Sequence, residues 1–213
     1  MAGTGPSRGR GFRPVLGAVE IPESRIARFV FGDTRLAVIW LVAQVYVGWQ
    51  WVTAGQEKLA SSAWVGPHAG AALTGFLRGA LAQTTGANPA VQGWYAQFLR
   101  QVVLAHVVAW SYLVSIGELV LGIALIVGVF TGIAAFVGAF ATLNYILAGV
   151  VSINPMLFLL ELVLILAGRT SGWLGIDFAL LPALGTPWTP GRLARPSRRA
   201  PTDVIPPAAA GAG

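Results

Sequence analysis

Val102–Val129 reads VVLAHVVAWSYLVSIGELVLGIALIVGV, an apolar run interrupted only by His106 and Glu118. About 20 apolar residues at a rise of ~1.5 Å each cross the hydrocarbon core of a bilayer, so this run is long enough to be a membrane span. Three further runs surround it. Leu36–Val52 (LAVIWLVAQVYVGWQWV) carries no charge and ends in tryptophans, as a span does at an interfacial aromatic belt. Ile133–Val151 is uncharged throughout, and Asn154–Gly168 (NPMLFLLELVLILAG) holds a single charged residue, Glu161. This last run is short. It must borrow residues from Arg169–Ile176 or lie where the bilayer thins, and a re-entrant helix is its alternative reading. The chain is 55% hydrophobic and 10% charged, against about 25% charged in soluble domains. The expected fold class is all-α integral membrane: a four-transmembrane-helix bundle with a helical extracytoplasmic loop between the first two spans.

The spans are expected at about 34–54, 101–128, 131–151 and 154–174, within a membrane domain covering 31–181. Arginines set its orientation. Arg8, Arg10, Arg13, Arg25, Arg28 and Arg35 precede the first span, and Arg169, Arg192, Arg195, Arg198 and Arg199 follow the fourth. Only Lys58, Arg78 and Arg100 fall between the first two. An even number of spans puts both termini on one side, and the positive-inside rule makes that side the cytoplasm of a multi-pass cell (inner or plasma) membrane protein. The first apolar run lies too far from the start to be a cleavable signal and reads as an uncleaved anchor. Segments 1–30 and 182–213, rich in Gly, Pro, Ala and Arg, are expected to be disordered or to lie on anionic headgroups.

The links differ in kind. Gly128–Gly132 (GVFTG) reads as a tight helical hairpin, and Pro155 suits a first helical turn with Asn154 as its cap. The link between the first two spans is long. Leu73, Phe76, Leu77, Ala80 and Leu81 recur in it at helical spacing, predicting a helix over about 69–84 against the outer face of the bundle. Val91, Trp94, Tyr95 and Phe98 predict a second helix over 90–100 that runs into the second span.

Polar residues inside the apolar runs form stripes. Ser111, Ser115, Glu118 and Gly122 are spaced by four, three and four residues and so share one helical face. Asn154, Leu157, Glu161, Leu164 and Gly168 do the same on the fourth span, and Gln44, Gly48, Trp51 and Gly55 on the first, with Lys58 just beyond. Asn144 reads as the polar residue of the third. A carboxylate in a bilayer is costly and is seldom there without a partner or a task. Glu118 and Glu161 are therefore the candidate catalytic pair. If they are close, they cannot both ionise, and a protonated carboxyl could hand a proton to quinone or to another acceptor. The structural alternative is a neutral glutamate bonded to Asn144, Gln44 or a backbone carbonyl, holding helices together.

Other chemistries find little support. The positive charges flank apolar runs and do not form a stripe with interleaved aromatics, so no nucleic-acid partner is expected despite the net charge of +6. With no cysteine and only His68 and His106, no metal or haem site is expected. No Gly-rich phosphate loop, nucleophile elbow or HExxH motif occurs. Trp49, Trp51, Trp64, Trp94 and Trp110 read either as interfacial anchors or as walls of a quinone pocket. Glu57 and Lys58 are expected to pair at the outer rim.

Three stretches carry a resemblance: Gly48–Leu59 (GWQWVTAGQEKL), Gly117–Phe140 (GELVLGIALIVGVFTGIAAFVGAF) and Ala167–Leu180 (AGRTSGWLGIDFAL). Together they resemble the DoxX/DoxD family of small four-helix membrane proteins, over roughly residues 34–181. Within that family they resemble the branch named after the large subunit of quinone-dependent thiosulfate dehydrogenase. The motifs that carry it are Gly55–Lys58, Glu118–Gly122, and the close from Gly168 and Arg169 to Asp177. The family often has Gly-Arg-Tyr-Ser-Leu-Asp there, whereas this chain has Thr170, Ser171 and an insertion before Asp177. The resemblance implies membrane redox activity, with thiosulfate or thiol oxidation coupled to quinone, and in some members assembly with a soluble redox or sulfur-transfer partner. Glu118 and Glu161 are then expected to exchange protons with quinone. Lys58 and Arg100 would attract an anionic reductant, and Gln44, Asn144 and Trp94 would complete the substrate-binding set. Two other readings stay open: a non-catalytic scaffold docking a soluble redox enzyme, and a small proton-coupled transporter. A homo-oligomer is compatible with any of them.

Overall fold

A computed structural model describes residues 24–184, and among these every regular element is helical. The chain runs through α1 (Arg25–Gly32), a 3-10 turn (Thr34–Leu36), α2 (Ala37–Leu59), α3 (Ala71–Ala82) and α4 (Gly93–Phe98). A π-turn (Leu99–Val103) and a 3-10 turn (Leu104–His106) then lead into α5 (Val107–Val127). After these come α6 (Thr131–Leu147), α7 (Asn154–Leu166), the four-residue α8 (Gly168–Ser171) and α9 (Asp177–Leu184). The disorder expected for 1–23 and beyond 184 lies outside the described residues. Residues 25–30, in α1, and 182–184, in α9, fall inside the segments expected to be disordered or to lie on headgroups, and both stretches are helical.

Two helical stretches, Thr34–Leu59 and Gly93–Val127, are long and apolar enough to cross a membrane. Only 39% and 33% of their most apolar windows are buried within the protein, which sets them apart from the core helices of a soluble domain. Their outward faces carry bare apolar side chains such as Val42, Trp49, Leu113 and Val120, and α6 adds Ile133, Phe136 and Phe140. Facing water, such surfaces would be an aggregation hazard; facing acyl chains, they cost nothing. The apolar helices α6 and α7 are shorter, at 17 and 13 residues. At ~1.5 Å per residue α7 is about 20 Å long, less than the ~30 Å hydrocarbon core.

Helices associate in lipid through close packing of small residues, because acyl chains leave little hydrophobic drive between them. α2 and α5 show how close. A Cβ added to Gly122 would sit 2.5 Å from the Val52 amide nitrogen and 2.6 Å from the Gly48 carbonyl oxygen, and one on Gly55 would sit 2.6 Å from the Leu119 nitrogen. Gly48 meets Gly122 and Ile126 while Gly55 meets Leu119, so the two helices are antiparallel. α6 packs on α7 through Ala134, Ala135, Gly138, Ala139 and Thr142, all buried. The main core runs through these helices, with Trp40, Val47, Trp51, Leu125, Leu157 and Leu164 at its centre.

A second core covers one end of the bundle. Leu73, Leu77 and Ala80 of α3 pack with Val91, Tyr95, Ala96, Leu99 and Val103, and against Ala148 just past α6. α3 thus lies across the end where α5 begins and α6 finishes. The loop before it is tied to α5: Ser111 Oγ donates to the Trp64 carbonyl at 2.6 Å, and the Gly66 N–H donates to the Tyr112 hydroxyl at 3.1 Å.

The opposite end is closed by Asp177. Its two carboxylate oxygens accept from the N–H groups of Phe130 and Thr131, each at 2.7 Å, capping α6 from a distant part of the chain. The Asp177 and Ile176 amides donate to the carbonyls of Gly128 and Val127 at 2.8 and 3.2 Å. Gly128 ends α5 with φ 71°, and the left-handed Phe130 (φ 47°) is held by these contacts. Asn154 does not cap α7 as expected. It is the first residue of the helix, which begins one residue earlier than anticipated, and its side-chain amide donates to the Val150 carbonyl at 2.9 Å.

Candidate functional site

The small-residue stripes face inward and carry their polar groups with them. Ser111 and Ser115 of α5 are fully buried, Glu118 is 5% exposed, and Gly122 is in contact with α2. Lys58 lies one turn beyond Gly55, at the point where α2 runs against the backbone of Leu119. Its stem therefore lies along α5, and Nζ reaches Glu118 Oε2 at 2.6 Å. The other oxygen, Oε1, accepts the hydroxyl of Tyr145 from α6. The expected partner of Lys58 was Glu57; the structure instead gives it to Glu118. A charge lodged between helices gains more from an opposite charge there than from one on the water-exposed rim.

This cluster is enclosed by rings. Lys58 Nζ stands 5.2 Å from the centroid of Trp64 in the tied-down loop, a cation–π placement. Phe76 of α3 meets Tyr145 edge-on with centroids 6.1 Å apart. Tyr145 also stacks on Trp51 of α2 at 6.3 Å. Trp51 Nε1 in turn donates to Glu161 Oε1 at 2.8 Å. Gly138 on α6 makes the room, because a Cβ there would sit 2.7 Å from Glu161 Oε1. Glu161 is fully buried, and its Oε2 has no hydrogen-bond partner among the described residues.

The two glutamates are therefore connected but unlike. Glu118 has a cation and a phenol, whereas Glu161 has an indole. They share no hydrogen bond; the Tyr145–Trp51 stack lies between them. Neither is bonded to Asn144 or Gln44, the partners considered for a purely structural role. A carboxylate held between an ammonium and a phenol can take a proton from either and pass it on.

The other expected site residues lie elsewhere. Gln44 is fully buried with both amide atoms unpartnered among the described residues, and its amide abuts Gly128 at the Asp177 end. Asn144 is spent on structure: its amide donates to the Phe140 carbonyl at 2.7 Å and its oxygen accepts from Tyr95 at 3.0 Å. Trp94 is 64% exposed and packs edge-on against Tyr95. Arg100 is exposed on the π-turn, and no ion pair or hydrogen bond among the described residues joins it to the Lys58–Glu118 pair. An open apolar groove lined by Leu41, Val42, Val45, Tyr46 and Trp49 lies on the far side of α2 from Trp51 and Lys58.

Tyr145 was missed in the sequence, although a signal for it was present. Gly138, Thr142 and Tyr145 repeat the four-then-three spacing of Ser111, Ser115 and Glu118, and Thr142 is fully buried. Asn144, one residue away, is the more polar side chain and drew attention to the wrong face.

Comparison with known proteins returns one family model, described as "TQO small subunit DoxD", which matches residues 40–187. The description names the small subunit, whereas the sequence resemblance had pointed to the large one. No curated protein and no solved structure matches the chain.

Proposed function

Because the chain belongs to the DoxX/DoxD family of membrane proteins, we propose that it is the membrane subunit of a quinone-linked redox system that oxidises thiosulfate or a thiol. Its site is the buried cluster of Lys58, Glu118 and Tyr145. The observation that carries this reading is Glu118 itself, a carboxylate between membrane helices with both oxygens occupied, one by an ammonium and one by a phenol.

Quinone oxygens need hydrogen-bond donors in an apolar, aromatic setting, and the donor set fits: the Tyr145 hydroxyl and Lys58 ammonium lie among Trp51, Trp64 and Phe76. Quinone held there would take two electrons from the sulfur donor and one proton at each oxygen. Tyr145 would offer one proton from its hydroxyl and Lys58 the other from its ammonium, and Glu118 would restore each after taking up a proton from solvent. Lys58 has a second task. While Glu118 is ionised, Lys58 is neutralised and holds no anion. When Glu118 takes up a proton, Lys58 loses its counter-charge and can receive an anionic reductant at the covered end of the bundle. Glu161 tunes the cluster through Trp51. Since the chain has no cysteine, a sulfur donor is oxidised without a protein thiol of its own, or by a soluble partner docked on it.

Four spans belong to the same reading. α2, α5, α6 and α7 cross the cell membrane in alternating directions, with both termini in the cytoplasm and α3–α4 covering the outer end. The support is the arginine distribution and the bare apolar faces of the helices. The shortness of α7 is made up by local thinning of the bilayer, or by the segment after it.

The test uses the whole protein in membranes, following thiosulfate-dependent reduction of a short-chain quinone analogue. Tyr145→Phe keeps the ring and removes the proton, and should lower turnover about a hundredfold. Glu118→Gln should do the same. Full turnover in both variants would remove the cluster from the mechanism.

A further inference from the structure

α1 is chemically two-sided. At ~100° per residue Arg25, Arg28 and Gly32 share one arc, and Phe29, Ile26, Val30, Ala27 and Phe31 spread over the rest. The protein uses only part of that apolar arc. Val30 and Phe31 pack on the main core. Trp40 Nε1 donates to the Val30 carbonyl at 3.1 Å, Phe31 stacks on Trp40 at 5.9 Å, and Thr170 Oγ1 donates to the Phe31 carbonyl at 3.0 Å. Ile26 and Phe29, by contrast, are 76% and 49% exposed.

The same contacts fix the direction of α1. Val30 and Trp40 are ten residues apart, which in one straight helix would separate them by about 15 Å. Extended backbone at Asp33 (φ −96°, ψ 123°) breaks the helix, and α1 folds back beside the start of α2. The first outward residues of α2, Val38 and Ile39, are bare apolar side chains at the beginning of a helix able to cross a membrane. α1 is thus tied to the start of that helix.

We propose that α1 lies in the plane of the membrane surface as an anchor for anionic lipid, with Ile26 and Phe29 among the acyl chains and Arg25 and Arg28 on the headgroup phosphates. Charge complementarity selects this occupant. Both arginines are exposed, α1 contains no acidic residue, and guanidinium pairs with phosphate through two parallel hydrogen bonds. The form is that of an interfacial amphipathic helix, with an apolar side for the bilayer and a basic side for its surface. Docked on α2 and α8, it would hold the bundle at a set depth.

The absence of cysteine makes the test clean, since a single introduced cysteine is a unique label site. A fluorophore would be placed on Ile26→Cys, and separately on Gly32→Cys, in the full chain reconstituted into phosphatidylcholine–phosphatidylglycerol vesicles. Acyl-chain spin labels should quench the first strongly and the second weakly. Spin-labelled phosphatidylglycerol should quench it more than spin-labelled phosphatidylcholine. Each arginine near an anionic surface contributes about 1 kcal/mol, so Arg25→Gln with Arg28→Gln should reduce that preference by up to roughly 30-fold. Equal quenching at positions 26 and 32 would overturn the in-plane placement. Equal quenching by the two lipids in the unmutated helix would overturn the headgroup assignment. Loss of the preference on adding inorganic phosphate at constant ionic strength would also overturn it, assigning the arginines to a free anion.

Discussion

Lys58 and Glu118 depend on each other, and the cost of separating them can be stated. A buried ion pair contributes little net stability over an apolar pair of the same shape, but removing one member leaves a charge stranded, at about 3–5 kcal/mol. Lys58→Met and Glu118→Gln should therefore each lower thermal stability in mild detergent by an amount on that order. The double variant should lose less than the sum of the two. Additive losses would mean that the two groups do not interact. This coupling also sharpens the activity test, because Tyr145→Phe leaves the ion pair intact and reads the proton separately from the fold.

At the level of elements, the glycines divide into those that permit contact and those that do not. Gly122 has no room for a Cβ against Val52 and Gly48, whereas Gly117, on the same helix, meets nothing within 4 Å. Gly122→Ala should loosen α2 from α5 and lower the melting temperature. Gly117→Ala should be neutral or raise it, since alanine is preferred to glycine in a helix by up to ~1 kcal/mol. Equal effects would show that the close approach does not matter. Asp177 is the corresponding device at the other end. Asp177→Ala removes both acceptors from the start of α6 and should cost about 1–2 kcal/mol. Protease cleavage near Phe130, a left-handed residue held in place by that carboxylate, should rise in step. Unchanged cleavage would place the control of that turn elsewhere.

For the whole molecule the testable quantity is topology. On the proposed four-span topology with cytoplasmic termini, His68 before α3 would face outward and Trp173 after α8 would face the cytoplasm. Both are exposed, so cysteine substitutions there are reachable. An impermeant maleimide added to intact cells should label His68→Cys at once and Trp173→Cys only after permeabilisation. The reverse pattern would invert the orientation, and labelling of both from outside would remove an odd number of spans.

The two long apolar helices and the inward faces of the helices were legible in the sequence because they are compositional or periodic. Bilayer thickness and helical rise translate directly into run length. A four-three-four spacing assigns Ser111, Ser115, Glu118 and Gly122 to one face whatever they meet there. The helical repeat of Leu73, Leu77 and Ala80 is read in the same way, and these residues are the buried face of α3. What meets what across helices is another matter. That Lys58 reaches Glu118 and not its neighbour Glu57, that Tyr145 and not Asn144 completes the carboxylate's shell, and that Trp51 bonds Glu161 are contacts spanning 27 to 110 residues. Neither spacing nor propensity encodes them. They follow from the relative rotation and depth of helices locked by glycine contacts, which one strand of sequence does not contain. The sequence by itself determined which residues must hide from lipid. The tertiary structure alone decided their partners, because pairing buried polar groups is a property of two surfaces brought together.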